Sequence, residues 1–185
     1  MSAILHDRTP TALWQGLVHE AQARADARLD EELESYLVFV LMRHLGDAEL
    51  NTRALALDYL DALGRRGALR EQALRETGDR CLLIAGLYPE QAARRRVSLS
   101  YFLELGSAAY AAEAEQPRSA LTALYRHLAE AFARLVRALV ELRRLSGEWK
   151  GLDALAAHAL GRADPARAAR DFPSALLLDA PRGLH

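Results

Sequence analysis

Apolar and polar positions recur with helical spacing almost throughout the chain. Leu13, Trp14, Leu17, Val18 and Ala21 share one face of a helix that opens at Thr9-Pro10, where a hydroxyl can cap and proline suits the first turn. Residues 23–28 are polar and either bend this helix or continue it. Leu29, Leu33, Tyr36, Leu37, Val40, Leu41 and Leu45 then define a second helix. Asp30 is its cap, Glu31, Glu32 and Glu34 occupy its positive first turn, and Arg43 and His44 lie at its negative end before Gly46. The run from Tyr36 to Met42 is apolar all round, which places that helix at the centre of a core.

Asn51 caps a third helix, with Leu50 and Leu55 spaced as a hydrophobic staple, and Gly64-Arg65-Arg66-Gly67 reads as a short polar turn after it. The next helix spans about 68–85, with Leu74, Gly78, Cys81, Ile84 and Ala85 on its apolar face. Arg75 and Asp79, and Glu76 and Arg80, have the spacing of i,i+4 ion pairs on it. Gly86 ends it, Pro89 opens a short helix, and Ser98 caps one carrying Leu99, Phe102, Leu103, Gly106 and Tyr110. Neither Gly78 nor Gly106 lies at a helix end, so both are expected to be positions of close packing; the competing reading of Gly78 is a break before Asp79.

The clearest pattern runs over 119–146. Leu121, Leu128, Leu135 and Leu142 recur every seven residues, Leu124, Ala131, Ala138 and Leu145 run beside them, and Tyr125, Phe132 and Leu139 flank the seam. His127, Arg134 and Glu141 lie on the far side. The apolar flank widens the stripe into a bundle face rather than a two-stranded zipper. After Gly147 come a shorter helix with Leu152, Leu155, Ala156 and Leu160, and a start at Asp164-Pro165. These elements predict an all-α, single-domain bundle of six to eight helices over 1–172, centred on the helices over 29–45 and 119–146. The Pro-interrupted tail 173–185 carries an apolar run, Ala175 to Leu178, and is expected to dock on the body or on a partner chain.

Composition supports the helical reading, because the apolar half of the 185 residues is mostly Ala and Leu, with few β-branched residues. The formal net charge is −1, which makes nucleic acid an unlikely partner, and of 24 basic residues only Lys150 is lysine. No apolar run approaches the ~20 residues of a membrane span, no basic-then-apolar leader opens the chain, and Cys81 has no second cysteine to pair with. Together these features point to the cytoplasm.

Chemistry is sparse. His6, His19, His44, His127, His158 and His185 show no two-histidine helical face and no Glu-x-x-His spacing, so no metal or cofactor is expected. No nucleophile elbow, phosphate loop or dinucleotide fingerprint occurs, and no catalytic residue is assigned. Cys81 reads as an inert core thiol despite the adjacent Arg80. A ligand site, if the chain has one, is expected in the segment 78–110. There Arg80, Tyr88, Tyr101, Glu104 and Tyr110 could rim a pocket and Arg94, Arg95 and Arg96 could grip an anion. The alternative is that the tyrosines seal the core and the arginines form surface ion pairs.

The segment GDRCLLIAGLYPEQAARRRVSLSYFLELGSAAY, with LESYLVFVLMRHL upstream, resembles the signature region of a family of all-helical proteobacterial cytosolic proteins with no established activity. The resemblance covers about the middle half of the chain and carries over no catalytic residues. The function expected is a non-enzymatic interaction or regulatory module, with a homodimer or another protein as partner. The alternative is a small-ligand binder or an unrecognised enzyme using the 78–110 segment. A tightly filled interior beneath Tyr101 and Arg80 would favour the former, and a hollow there the latter.

Overall fold

The computed structural model describes residues 10–44, 55–94, 96–115 and 121–148. Within them the chain forms seven α-helices and no strand: α1 Pro10–Arg24, α2 Glu31–His44, α3 Leu55–Gly64, α4 Gly67–Gly86, α5 Pro89–Arg94, α6 Leu99–Ala114 and α7 Thr122–Glu148. The expected cap at Thr9, the Gly46 stop, the Asn51 cap and Leu50 staple, the helices after Gly147 and the tail lie outside the described residues. None of the described helices is long and apolar enough to cross a membrane.

Local chemistry sets the element boundaries. The Asp30 carboxylate accepts the Leu33 amide at 3.0 Å at the start of α2, and the Ser98 hydroxyl accepts the Tyr101 amide at 3.4 Å at the start of α6. Both α1 and α5 end in paired 6→1 and 5→2 hydrogen bonds. Ala27 and Asp26 donate to the carbonyls of Gln22 and Ala23, and Val97 and Arg96 to those of Ala92 and Ala93. This closure requires a left-handed residue, supplied by Asp26 (φ 47°) and Arg96 (φ 57°). Ala27, fully buried, and the partly buried Val97 then fold back onto the core. The polar run after α1 is therefore a bend, and the last arginine of the triplet serves as a helix-ending residue.

The long α7 is the element shared by two helix pairs. It packs against α1 and α2 on one side and α4 and α6 on the other, while α4 also packs against α3 and α5. Val40 and Leu135 are both fully buried, as are Leu128, Leu142 and Leu145 of the stripe; Leu121 precedes the helix and is 41% exposed. The α7 helix is central, as its stripe predicts, whereas the second half of α4 takes the place expected for α2. Every residue from Cys81 to Leu87 is buried, making the second half of α4 the most enclosed stretch. The apolar run of α2 is not enclosed all round, because Phe39 and Met42 are 48% and 39% exposed. Phe39 leans on the Tyr36 ring, and the Met42 sulfur accepts from Thr11.

The helix α4 runs unbroken through Gly78, so the break reading is set aside. A Cβ at Gly78 would lie 2.4 Å from the Tyr110 ring, and one at Gly106 would lie 2.2 Å from Phe132 and 2.8 Å from the Cys81 Cβ. Both glycines are close-packing positions, and what each admits is a side chain from the facing helix. Gly86 does the same for Leu139 of α7 while also closing α4.

Candidate functional site

The interior holds one group of polar side chains that the fold builds with care. Asp79, on the buried side of α4, has no exposed surface. Its Oδ1 accepts hydrogen bonds from the Tyr36 hydroxyl of α2 and the Tyr110 hydroxyl of α6, each at 2.7 Å. The Nε2 of His44 lies 3.4 Å from Oδ2. Tyr125 of α7 completes an aromatic wall, its ring 5.9 Å from that of Tyr110 and 6.4 Å from that of Tyr36. Burial first, and the Asp79 charge second, hold the Tyr36 and Tyr110 phenols well above the usual range, and burial pushes Tyr125 up to about 12. The Tyr36 and Tyr110 phenols stay protonated and donate to Asp79. A carboxylate that accepts two phenolic hydrogens is a stabilised acceptor, tying α2, α4 and α6 together at one point.

Sequence spacing had paired Arg75 with Asp79 and Glu76 with Arg80, and neither pair forms. Asp79 turns inward, Glu76 faces Arg43 of α2 at 3.5 Å, and Arg80 faces Asp58 of α3 at 3.8 Å. The signal available in the sequence was the place of Asp79 itself, between Gly78 and Cys81 on an otherwise apolar face, with three tyrosines on neighbouring helices.

A second buried acid lies on α6. Glu113 has no exposed surface, and neither of its carboxylate oxygens has a hydrogen-bond partner. Burial pushes it up to about 7; Glu71 adds to the shift, while Arg70 and Arg75 oppose it. An acid that resists ionisation when folded holds its proton more tightly than the unfolded chain does. The fold is therefore favoured below about pH 4.5, and that advantage is lost as pH rises through 7. Glu113→Gln is expected to match wild type in urea unfolding at pH 5 and to exceed it by about 2–3 kcal/mol at pH 8. Equal stabilities at pH 8 would show that Glu113 finds a partner when ionised.

The residues singled out by sequence do not meet in one place. Tyr110 is sealed inside by Asp79. Tyr101 is partly buried at the α3 side of α6, its ring 5.2 Å from Phe102, with burial, Cys81 and the Ala56 backbone all acting on its phenol. Arg80 reaches α3, and Tyr88 packs against the core from the turn before α5. Glu104 and Arg96 are exposed, and the Arg94 side chain and all of Arg95 lie outside the described residues. Phe132 and the Cys81 Cβ fill the space over Gly106, and the Phe102 ring lies beside that of Tyr101. Burial also pushes the Cys81 thiol up to about 12, which keeps it protonated and unreactive. Among the described residues, no three His, Cys, Asp or Glu side chains gather as a metal site would require.

The surface features concentrate at the α3–α4 corner instead. Leu57, Leu60 and Leu69 are 66%, 61% and 65% exposed, more than any other large apolar side chain described. A hollow of about 510 Å³ opens at the turn from α3 into α4, lined by Leu63, Arg65, Arg66, Arg70 and Glu115 among others.

Fold and site together define an all-α helical bundle with a buried carboxylate–phenol network and an apolar corner facing solvent. No protein-family model, curated protein or solved structure matches the chain.

Proposed function

We propose that the protein is a non-catalytic helical module of the bacterial cytoplasm that works by binding another protein through the outer face of α3. The observation that carries this reading is the position of α3. Its inner face is apolar, with Leu55 and Ala62 buried, yet its outer face carries the exposed Leu57 and Leu60. A helix apolar on both faces normally lies inside a protein, but α3 is peripheral and packs mainly on α4. Covering those leucines would recover roughly 25 cal/mol for each Å² removed from water.

Two further features support the reading. Asp79, Tyr36 and Tyr110 are buried and bonded to one another, and Phe132 and Cys81 pack over Gly106 in the same segment. The buried Cys81 suits a reducing cytoplasm. The test is capture from native extract by immobilised wild type and by Leu57→Glu/Leu60→Glu. Wild type is expected to retain a protein that the variant loses, with the unfolding midpoint unchanged. Identical captures from both would remove the α3 face from the account.

A further inference from the structure

The hollow at the turn from α3 into α4 is basic, and its chemistry is unlike that of the leucines on α3. Its volume of about 510 Å³ lies in the range of small-ligand pockets. Arg65, Arg66 and Arg70 line it against one acid, Glu115. Gly64 and Gly67 line it too, and nothing lies within 4 Å of a Cβ at either, so the backbone there is open to a ligand.

The three guanidiniums are not engaged alike. Arg65 donates to Asp61 through Nε at 3.0 Å. Arg70 donates through a terminal nitrogen to the Leu63 carbonyl at 2.7 Å, which holds it at the turn, while its Nε is buried with no hydrogen-bond partner. Arg66 is exposed, and neither it nor Arg70 has an ion-pair partner among the described residues. Elsewhere Arg43 is paired with Glu76, Arg80 with Asp58 and Arg143 with Glu90. Two cations without a counter-charge therefore face one concave, solvent-open space.

We infer that this hollow is a binding site for the phosphate group of a small molecule. Two guanidiniums without a counter-charge suit a dianion better than a singly charged carboxylate, and each matches phosphate oxygens with its planar fork. Arg66 is also the N-cap residue of α4, and no side chain caps the helix there. A phosphate at that end takes the place of the missing cap, which adds to the attraction. Glu115 suits a hydroxyl or amine on the rest of the ligand and repels a continuous polyanion such as a nucleic-acid backbone. Soluble phosphorylated compounds and lipid headgroups both carry the required group. The inference stands independently of the leucine contact proposed for α3.

Two measurements test it, each on wild type, Arg66→Glu and, as a control for charge alone, Arg144→Glu at the far end of α7. One is calorimetric titration with inorganic pyrophosphate. The other is co-sedimentation with phosphatidylcholine vesicles, with and without phosphatidic acid. Arg66 is exposed, so Arg66→Glu is expected to melt with wild type. Wild type is expected to bind pyrophosphate at one site per chain, Arg66→Glu about tenfold or more weaker, and Arg144→Glu as wild type. That result assigns the site to a soluble phosphorylated compound. Binding only to the vesicles with phosphatidic acid, lost in Arg66→Glu alone, assigns it to a lipid headgroup. No binding in either measurement would overturn the inference, as would binding that Arg66→Glu leaves unchanged or that Arg144→Glu weakens equally.

Discussion

Replacing Asp79 with alanine is expected to cost the fold about 3–5 kcal/mol, a large part of the 5–15 kcal/mol that typically separates folded from unfolded chains. The cost comes chiefly from what is left behind. Tyr36 and Tyr110 would each keep a buried hydroxyl with no acceptor, since Oδ1 of Asp79 serves both. Each unpaired group costs about 1–3 kcal/mol. Asp79→Asn keeps an oxygen in the same position and should cost less. The decisive comparison is Asp79→Leu alone against Asp79→Leu with Tyr36→Phe and Tyr110→Phe. If unpaired phenols dominate, removing their hydroxyls restores most of the loss in urea unfolding; if the triple variant is no better than the single one, the network contributes through shape alone.

Gly106→Leu is expected to be the next most damaging change. Even an alanine there would bring its Cβ to 2.2 Å from Phe132 and 2.8 Å from the Cys81 Cβ. The Phe132 ring is buried with little room to turn, and the Cys81 Cβ is fixed to the α4 backbone, so α4 and α6 must separate. Overpacking of this kind costs about 1–3 kcal/mol and more for the larger side chain, well above the ~1 kcal/mol that leaving glycine gains in a helix. Gly64→Ala is the matched control, because nothing lies within 4 Å of its Cβ position. Thermal melts should place Gly106→Ala below wild type and Gly64→Ala level with it or above. A raised melting temperature for Gly106→Ala would refute the close contact.

The sequence made the helices legible because each is written in local terms. The Asp30 and Ser98 caps, the proline that opens α1 and the seven-residue leucine recurrence of α7 all act within a turn or two of themselves. Mid-helix glycines could be read because their cost demands a reason. The polar interior could not be read in the same way. Asp79 has an arginine four residues before it, which offers a surface explanation, and only the packing of α2 and α6 shows that two phenols claim the carboxylate first. Phe39 and Met42 failed for a related reason. An all-apolar helix predicts burial, but which side meets another helix is decided by topology, and here α2 packs at the edge. The exposed leucines of α3 share one outer face through their own spacing; that no described helix covers them is again a matter of tertiary arrangement.

The claim on which the account turns is that the outer face of α3 is where this protein meets its partner. Site-specific photocrosslinking in living cells addresses it directly, with the photoreactive residue at position 60 and, as control, at the exposed position 104 of α6. Position 60 is expected to give a discrete adduct, at about twice the chain mass if the partner is a second copy, and position 104 none. Adducts absent from position 60, or equal at both positions, would contradict the account.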